Sequence, residues 1–240
     1  MNPIPTLRSR RPAEPACALL AGLIPADVCE RWRRAAEAHL ASVRCREVPA
    51  IDLGLAIALL ARAGGFERYR AVIGERPVCN LDECWVRRQF PARAAVLRAG
   101  PHSWHQDGAL RHDFTRPAAL RQSHGQGLLD MLTCWIALTP CGIDAPGLEL
   151  VRTECLGLSM PAELTEDAVA RRFDETAFWR PAMAVGDALL FRGDVLHRTH
   201  VTPAMRRDRF SVELRFFDGD RWPARLTGDR CVAVDGEAGR

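Results

Sequence analysis

Apolar and polar positions fall into two regimes along the chain. From Pro25 to about Leu40 the spacing is helical. Val28, Trp32, Ala35 and Ala36 recur on one side and arginines occupy the other. A second helix is predicted from Leu53 to Ala63, stopped by Gly64-Gly65. A third, short one is predicted over Phe66 to Ile73. The pattern then changes to short apolar runs. Strands are predicted at 83–90, 95–99, Gln126–Leu138 and Leu148–Val151, then, after a short helix over Glu166–Phe173, at Pro181–Val185, Ala188–Arg192 and Arg209–Phe217. Between two of these, Gly186-Asp187 reads as a two-residue hairpin turn, because glycine supplies the positive φ of a primed turn. Helices first and strands later predict a mainly β (α+β) fold, a sandwich or barrel with N-terminal helices packed on it. No repeat and no linker divides the chain. The expected arrangement is one domain over 1–240: a Pro/Arg-rich arm at 1–15, a helical part at 16–75, the β core at 76–217 and a tail at 218–240.

Composition narrows the class. The chain has 240 residues, of which 48% are hydrophobic and 26% charged, enough to bury a core without staples. The 33 basic residues, all arginine, nearly balance 30 acidic ones, for a net charge of +3. That balance argues against a nucleic-acid or membrane partner. No run approaches the roughly 18 apolar residues of a membrane span. Arg8, Arg10 and Arg11 before the apolar run Ala16–Ile24 loosely imitate an export signal. However, no small-residue cleavage site follows, and the run passes into Pro25-Ala26-Asp27 and a charged helix. Nine cysteines with no CxxC spacing suit free thiols in a reducing compartment, and a cytoplasmic location is expected. Cys134 and Cys141 read as core thiols.

Candidate chemistry begins at Trp104-His105-Gln106-Asp107. On a strand, residues two apart share a face, so His105 and Asp107 would aim an imidazole and a carboxylate at one point. With a distant histidine they would make a 2-His-1-carboxylate triad for non-haem Fe(II). A lone HxD is weak evidence. The distant histidine is supplied by Gly186-Asp187-Ala188-Leu189-Leu190-Phe191 followed by Leu196-His197, 90 residues after Asp107. Twelve residues further on, Arg209 and Ser211 share a strand face, a guanidinium and a hydroxyl suited to gripping a carboxylate. His200 is the rival to His197, and Arg206 and Arg207 are the rivals to Arg209. His102, His112 and His124 read as loop histidines, and His39 has no assigned role. Trp85, Arg87 and Gln89 alternate onto one strand face. They are candidates to line a substrate mouth, with an ordinary sheet face as the slightly preferred reading. Trp104 reads as packing.

Taken in order, WHQD, CWIAL, GLELV, GDALLF with its following LH, and RFSVELRF resemble the phytanoyl-CoA dioxygenase family of Fe(II)/2-oxoglutarate-dependent oxygenases. The resemblance spans about residues 80–217, and Leu20–Leu40 resembles that family's opening helix. It implies a double-stranded β-helix of the jelly-roll, cupin-like type. It implies His105, Asp107 and His197 as iron ligands and Arg209 as the partner of the distal carboxylate of 2-oxoglutarate. Ser211 would assist, and Trp135 would line the cosubstrate pocket. Fe(II), 2-oxoglutarate and O₂ are the implied cofactors. The implied activity is oxidation of a C–H bond in a small molecule, a natural-product or amino-acid-derived intermediate, by a monomer or small homo-oligomer. Related halogenases replace the acidic ligand with a small residue; Asp107 is present, which favours hydroxylation. The chain is short for recognition of a CoA thioester. Two other readings stand beside this one: a jelly-roll metalloenzyme that does not use 2-oxoglutarate, and a non-catalytic jelly-roll binding module.

Overall fold

The computed structural model describes residues 15–39, 44–45, 51–92, 101–111, 128–153, 157–220 and 231–234. Helix α1 (Ala26–His39) follows from its own spacing. Val28, Cys29, Trp32 and Ala36 are buried. The solvent side is laced by Arg31–Asp27 and Arg34–Glu30 pairs one turn apart, each at 2.7 Å. Helix α2 (Leu53–Arg62) is capped by Asp52, whose carboxylate accepts from the Leu55 amide at 2.9 Å. It ends at Gly64, where φ is +68°. Helix α3 (Arg70–Ile73) completes the helical layer.

Eleven described strands form two sheets: β1 (Cys17–Leu20), β2 (Arg44–Cys45), β3 (Pro77–Asn80), β4 (Trp85–Gln89), β5 (Met131–Ala137), β6 (Gly147–Val151), β7 (Phe178–Trp179), β8 (Ala188–Arg192), β9 (His197–His200), β10 (Arg209–Asp218) and β11 (Cys231–Ala233). The larger sheet runs β1-β8-β5-β10-β3-β11, with β4 also paired to β10 and β2 to β4; the smaller runs β7-β6-β9. Every pairing is antiparallel. Two facing antiparallel sheets with these crossovers are a jelly roll, as the sequence predicts.

The larger sheet has a different chemistry on each face. On β10, Phe210, Val212, Leu214 and Phe216 point into one core with Leu132, Cys134 and Ile136 of β5 and the helices. The alternate residues Arg209, Ser211 and Glu213 are equally buried but face the space between the sheets. There they meet Trp135, Leu148, Leu150, Leu189 and Phe191, a second apolar cluster. The outer face of the smaller sheet is covered by helix α4 (Glu166–Arg172) and its flanks, through Trp104, Val151, Val169 and Leu196.

Several sequence expectations are corrected here. Pro181–Val185 is not a strand. Pro181 has no N–H to give to a ladder, and the segment makes one isolated bridge, Met183 with Cys141. Gly186-Asp187 is therefore not a hairpin turn. It closes a turn from Ala184, in which the Asp187 carboxylate accepts from the Ala184 amide at 2.8 Å, and leads into β8. The apolar run after Ala16 is an edge strand, β1, and not a helix. Strands β2, β3, β7, β9 and β11 have no counterpart in the sequence reading, being only two to four residues long. The expected strand at 95–99, the 1–15 arm, His112 and His124 lie outside the described residues.

Gly186 supplies a sharp stability test. Its φ is +86°, and a Cβ there would meet the Ile24 carbonyl oxygen at 2.1 Å. Gly22 also has positive φ (+60°) but open space around it. Gly186→Ala should lower unfolding free energy by about 2 kcal/mol or more, and Gly22→Ala by about 1 kcal/mol. Urea unfolding of the two variants side by side checks the ranking.

Candidate metal and cosubstrate site

His105 and His197 are brought together by the backbone. Each donates its amide to the other's carbonyl, at 2.9 and 3.0 Å, forming a single antiparallel bridge. The HxD segment is thus held on the free edge of β9, extending the smaller sheet by one residue pair. His105 does not lie in a regular strand, and Asp107 starts a 3-10 turn (Asp107–Arg111), which corrects the expectation of a strand presenting both side chains. The turn still brings the carboxylate back beside the imidazoles. Gly108 makes this possible: its amide donates to the Gly193 carbonyl at 2.8 Å. A Cβ at Gly108 would lie 2.9 Å from the Gly193 and Leu129 carbonyl oxygens.

One ligand-type atom from each of His105, Asp107 and His197 lies within 4.8 Å of the others. The Nε2 atoms sit 3.8 and 3.9 Å from Asp107 Oδ1. Both tautomers are set by main-chain acceptors. His105 Nδ1 donates to the Ser103 carbonyl at 2.7 Å and His197 Nδ1 to the Val195 carbonyl at 3.0 Å. Each Nε2 therefore keeps its lone pair for the shared point. Burial, reinforced by His197, pushes the His105 pKa down to about 3. Burial alone would raise the Asp107 pKa, but Arg215, the two histidines and Thr133 outweigh it and hold the carboxyl below its usual range. A neutral imidazole beside a carboxylate is the protonation state a divalent cation requires.

Two residues that sequence reasoning missed fix the carboxylate. Thr133 on β5 donates to Oδ2 at 2.6 Å, and Arg215 on β10 donates to Oδ1 at 2.8 Å. Arg215 also reaches Glu83 at 3.3 Å. The only signal for them in the sequence was strand parity, because Thr133 and Arg215 share faces with Trp135 and Arg209.

Arg209 is completely buried, and its guanidinium lies 4.9 Å from the centre of the Trp135 ring. Nη1 reaches the Gly147 carbonyl at 3.3 Å. Among the described residues, Arg209 Nε and Nη2, Ser211 Oγ, Trp135 Nε1 and Thr199 Oγ1 are buried with no hydrogen-bond partner. Burial and the neighbouring Arg87 lower the Arg209 pKa to about 10. An unsatisfied guanidinium beside unsatisfied hydroxyls is a costly arrangement that a carboxylate would complete. A cavity of about 400 Å³ includes the three metal-type ligands, Trp135 and Thr199 in its wall. Arg209 and Ser211 are not among its lining residues, but Trp135, against which the Arg209 guanidinium packs, is.

The remaining expectations resolve by strand parity. His200 sits three residues after His197, so it falls on the outer face of β9 beside Glu149, at 4.0 Å. Arg206 and Arg207 are exposed. His102 lies in the cavity wall, with Nε2 2.8 Å from Arg87 Nη2. Trp85 and Arg87 line the cavity, while Gln89 is not among its lining residues. Gln89 is buried opposite Arg209.

Fold and site together define a jelly-roll protein with a 2-His-1-carboxylate cluster and a buried arginine whose Nε and Nη2 have no partner among the described residues. The family description "Phytanoyl-CoA dioxygenase (PhyH)" matches residues 66–207. The chain belongs to that family, and it is an Fe/2-oxoglutarate-dependent non-haem iron enzyme. A comparison with curated proteins finds no match. Among solved structures, one similar chain is the epimerase SnoN in complex with Fe³⁺, α-ketoglutarate and nogalamycin RO. The two are 15% identical with a TM-score of 0.56, over 92% of this chain and 95% of that one. HygX from Streptomyces hygroscopicus, with nickel and 2-oxoglutarate bound, is 15% identical with a TM-score of 0.55, over 90% of each chain. Apo EctD from S. alaskensis is 14% identical with a TM-score of 0.57, over 90% of this chain and 78% of that one. No described helix is long and apolar enough to cross a membrane.

Thr133→Val removes the Oδ2 hydrogen bond and keeps the shape of the side chain. It should weaken Co(II) or Fe(II) binding by about 10- to 100-fold. Titration of metal into the apo-protein, compared with wild type, reads this directly.

Proposed function

We propose that the protein oxidises an unactivated C–H bond of a small metabolite, with hydroxylation as the outcome. The reading is carried by one observation: three metal-type ligands converge, and nearby a buried guanidinium has unpaired donors. His105, Asp107 and His197 would hold the iron on one face, leaving the opposite positions open. Arg209, with Ser211 and the Trp135 indole N–H, would take the distal carboxylate of 2-oxoglutarate. When bound, iron and 2-oxoglutarate supply an oxidant from O₂, with release of succinate and CO₂.

The chain's own part is positional. The main-chain acceptors at Ser103 and Val195 keep each imidazole in one tautomer. Thr133 and Arg215 occupy both carboxylate oxygens of Asp107, which favours one-point attachment to the metal. The apolar wall of Leu148 and Phe191 limits water around the reacting centre. A carboxylate at position 107 supports hydroxylation over halogenation. Similar structures include the epimerase SnoN and the carbocyclase SnoK, so the fate of the oxidised carbon is what the product assay reads.

Anaerobic titration of Fe(II) and 2-oxoglutarate into the apo-protein tests the reading. A weak visible charge-transfer band should appear only when both are present. Iron binding without the band would favour a 2-oxoglutarate-independent metalloenzyme, and no iron binding would favour a binding module. Arg209→Gln should weaken 2-oxoglutarate by about a hundredfold while leaving metal affinity within about threefold. Asp107→Ala should abolish substrate-stimulated succinate release. An active Asp107→Ala hydroxylase would overturn the triad assignment. With the true substrate, the product should gain one oxygen atom by mass.

A further inference from the structure

The proposed function leaves two charged side chains of the cavity without a role. Arg87 and Glu213 both line it, and they are only 6% and 7% exposed. Their nearest approach, Nη1 to Oε1, is 3.6 Å. That is attractive but too long for a hydrogen bond. Arg87 Nη2 reaches the His102 ring, but Nε has no partner among the described residues. Among the same residues, no hydrogen bond reaches the Glu213 carboxylate. The other charges here are engaged. Arg215 holds Asp107 and Glu83, and Arg209 is assigned to the cosubstrate.

The strand register places Glu213 between two indoles. It lies directly opposite Trp85 on β4 and Trp135 on β5, and both tryptophans also line the cavity. Arg87 is two residues further along β4, on the same face and opposite Ser211. A carboxylate flanked by aromatic rings suits an ammonium group, and a guanidinium whose Nε–H has no partner among the described residues suits a carboxylate. A ligand that is only cationic would be repelled by Arg87, and one that is only anionic by Glu213. A ligand that carries both charges completes both side chains and leaves the cavity's charge balance unchanged. The volume of about 400 Å³ must also hold 2-oxoglutarate. It is near the small end of the roughly 300–1,000 Å³ range of ligand pockets. We propose that the substrate is a small zwitterion, an amino acid or close analogue, with its ammonium group at Glu213 between Trp85 and Trp135 and its carboxylate at Arg87. This rests on the oxygenase reading above and adds the substrate class to it.

The test is isothermal titration of the full chain loaded with Co(II) and 2-oxoglutarate, with cobalt absorption followed in parallel. The ligands are a panel of free α-, β- and cyclic amino acids, each also supplied as its N-acetyl and carboxamide derivative. At least one free amino acid should bind, and each blocked form should bind at least about tenfold more weakly. Glu213→Gln should lose a similar factor for the free amino acid and none for its N-acetyl form. Undiminished uptake of Co(II) and 2-oxoglutarate by the variant shows that it is folded. The derivative series on the unaltered protein decides the matter even if the variant fails to fold. Equal binding of blocked and free forms would overturn the proposal, as would preference for simple amines or simple acids. So would the absence of any zwitterion binding to protein that has taken up Co(II) and 2-oxoglutarate. Failure to take up the metal and 2-oxoglutarate themselves would instead overturn the oxygenase reading, and this proposal with it.

Discussion

The two-way amide bridge between His105 and His197 is the constraint on which the site depends. It ties a segment that has no strand partner of its own to the free edge of β9. Once the bridge is made, the two side chains leave the same point of the backbone ladder, and their rings come to 4.2 Å between centroids. Hydrogen bonds from the Thr199 amide to the His102 carbonyl at 3.0 Å and from Gln106 Nε2 to the Asp194 carbonyl at 2.9 Å brace the same pairing on either side. The glycine pair at 108 and 193 extends the same contact, because their backbones approach more closely than any side chain would allow. The metal-type cluster is therefore built by main-chain pairing first. Side-chain hydrogen bonds at Ser103, Val195, Thr133 and Arg215 then refine its aim.

The second constraint is the two-faced character of β10. A strand buried on both sides ordinarily reads as a continuous apolar run. Here one face is apolar and supports the helices, while the other carries Arg209, Ser211, Glu213 and Arg215. Burying that much charge is costly unless each group finds a partner. The partners differ along the strand. Arg215 finds two carboxylates of the chain, Arg87 and Glu213 face each other at a distance, and Arg209 finds only a carbonyl. Pairing thus weakens from Arg215 to Arg209 along β10.

This also explains what was legible in the sequence. His105, Asp107, His197 and Arg209 carry spacing, and spacing survives folding because strands β8, β9 and β10 follow one another with short connections. The rejection of His200 needed only strand parity. Thr133, Arg215 and Glu213 were not legible, because their roles come from cross-strand register between β4, β5 and β10. Those strands are separated by more than 40 residues of chain, and no local pattern encodes their alignment. Helices α1 and α2 were read to within a residue or so, since amphipathic spacing and capping are local. The segment at 181–185 was misread for a related reason. Its apolar residues fill the space beside Cys141, but a proline at its head and a turn at its foot leave room for a single bridge.

The arginines play two different parts. Among the described residues Arg31, Arg33, Arg34 and Arg70 are surface partners of Asp and Glu on or beside helices. The three on the inner face of the larger sheet are different. Each is planar, permanently charged and able to bond in a fork, which a lysine could not reproduce in these positions. Arg215 bridges Asp107 and Glu83, so it ties the candidate metal ligand to the turn before β4. Arg87 stands on that same strand β4. A shift of β4 that moved Arg87 toward a ligand would therefore also pull on Glu83 and, through Arg215, on Asp107. The two ends of the cavity are mechanically linked by one strand and one guanidinium. Asp107 and Arg87, both in the cavity wall, therefore share one support.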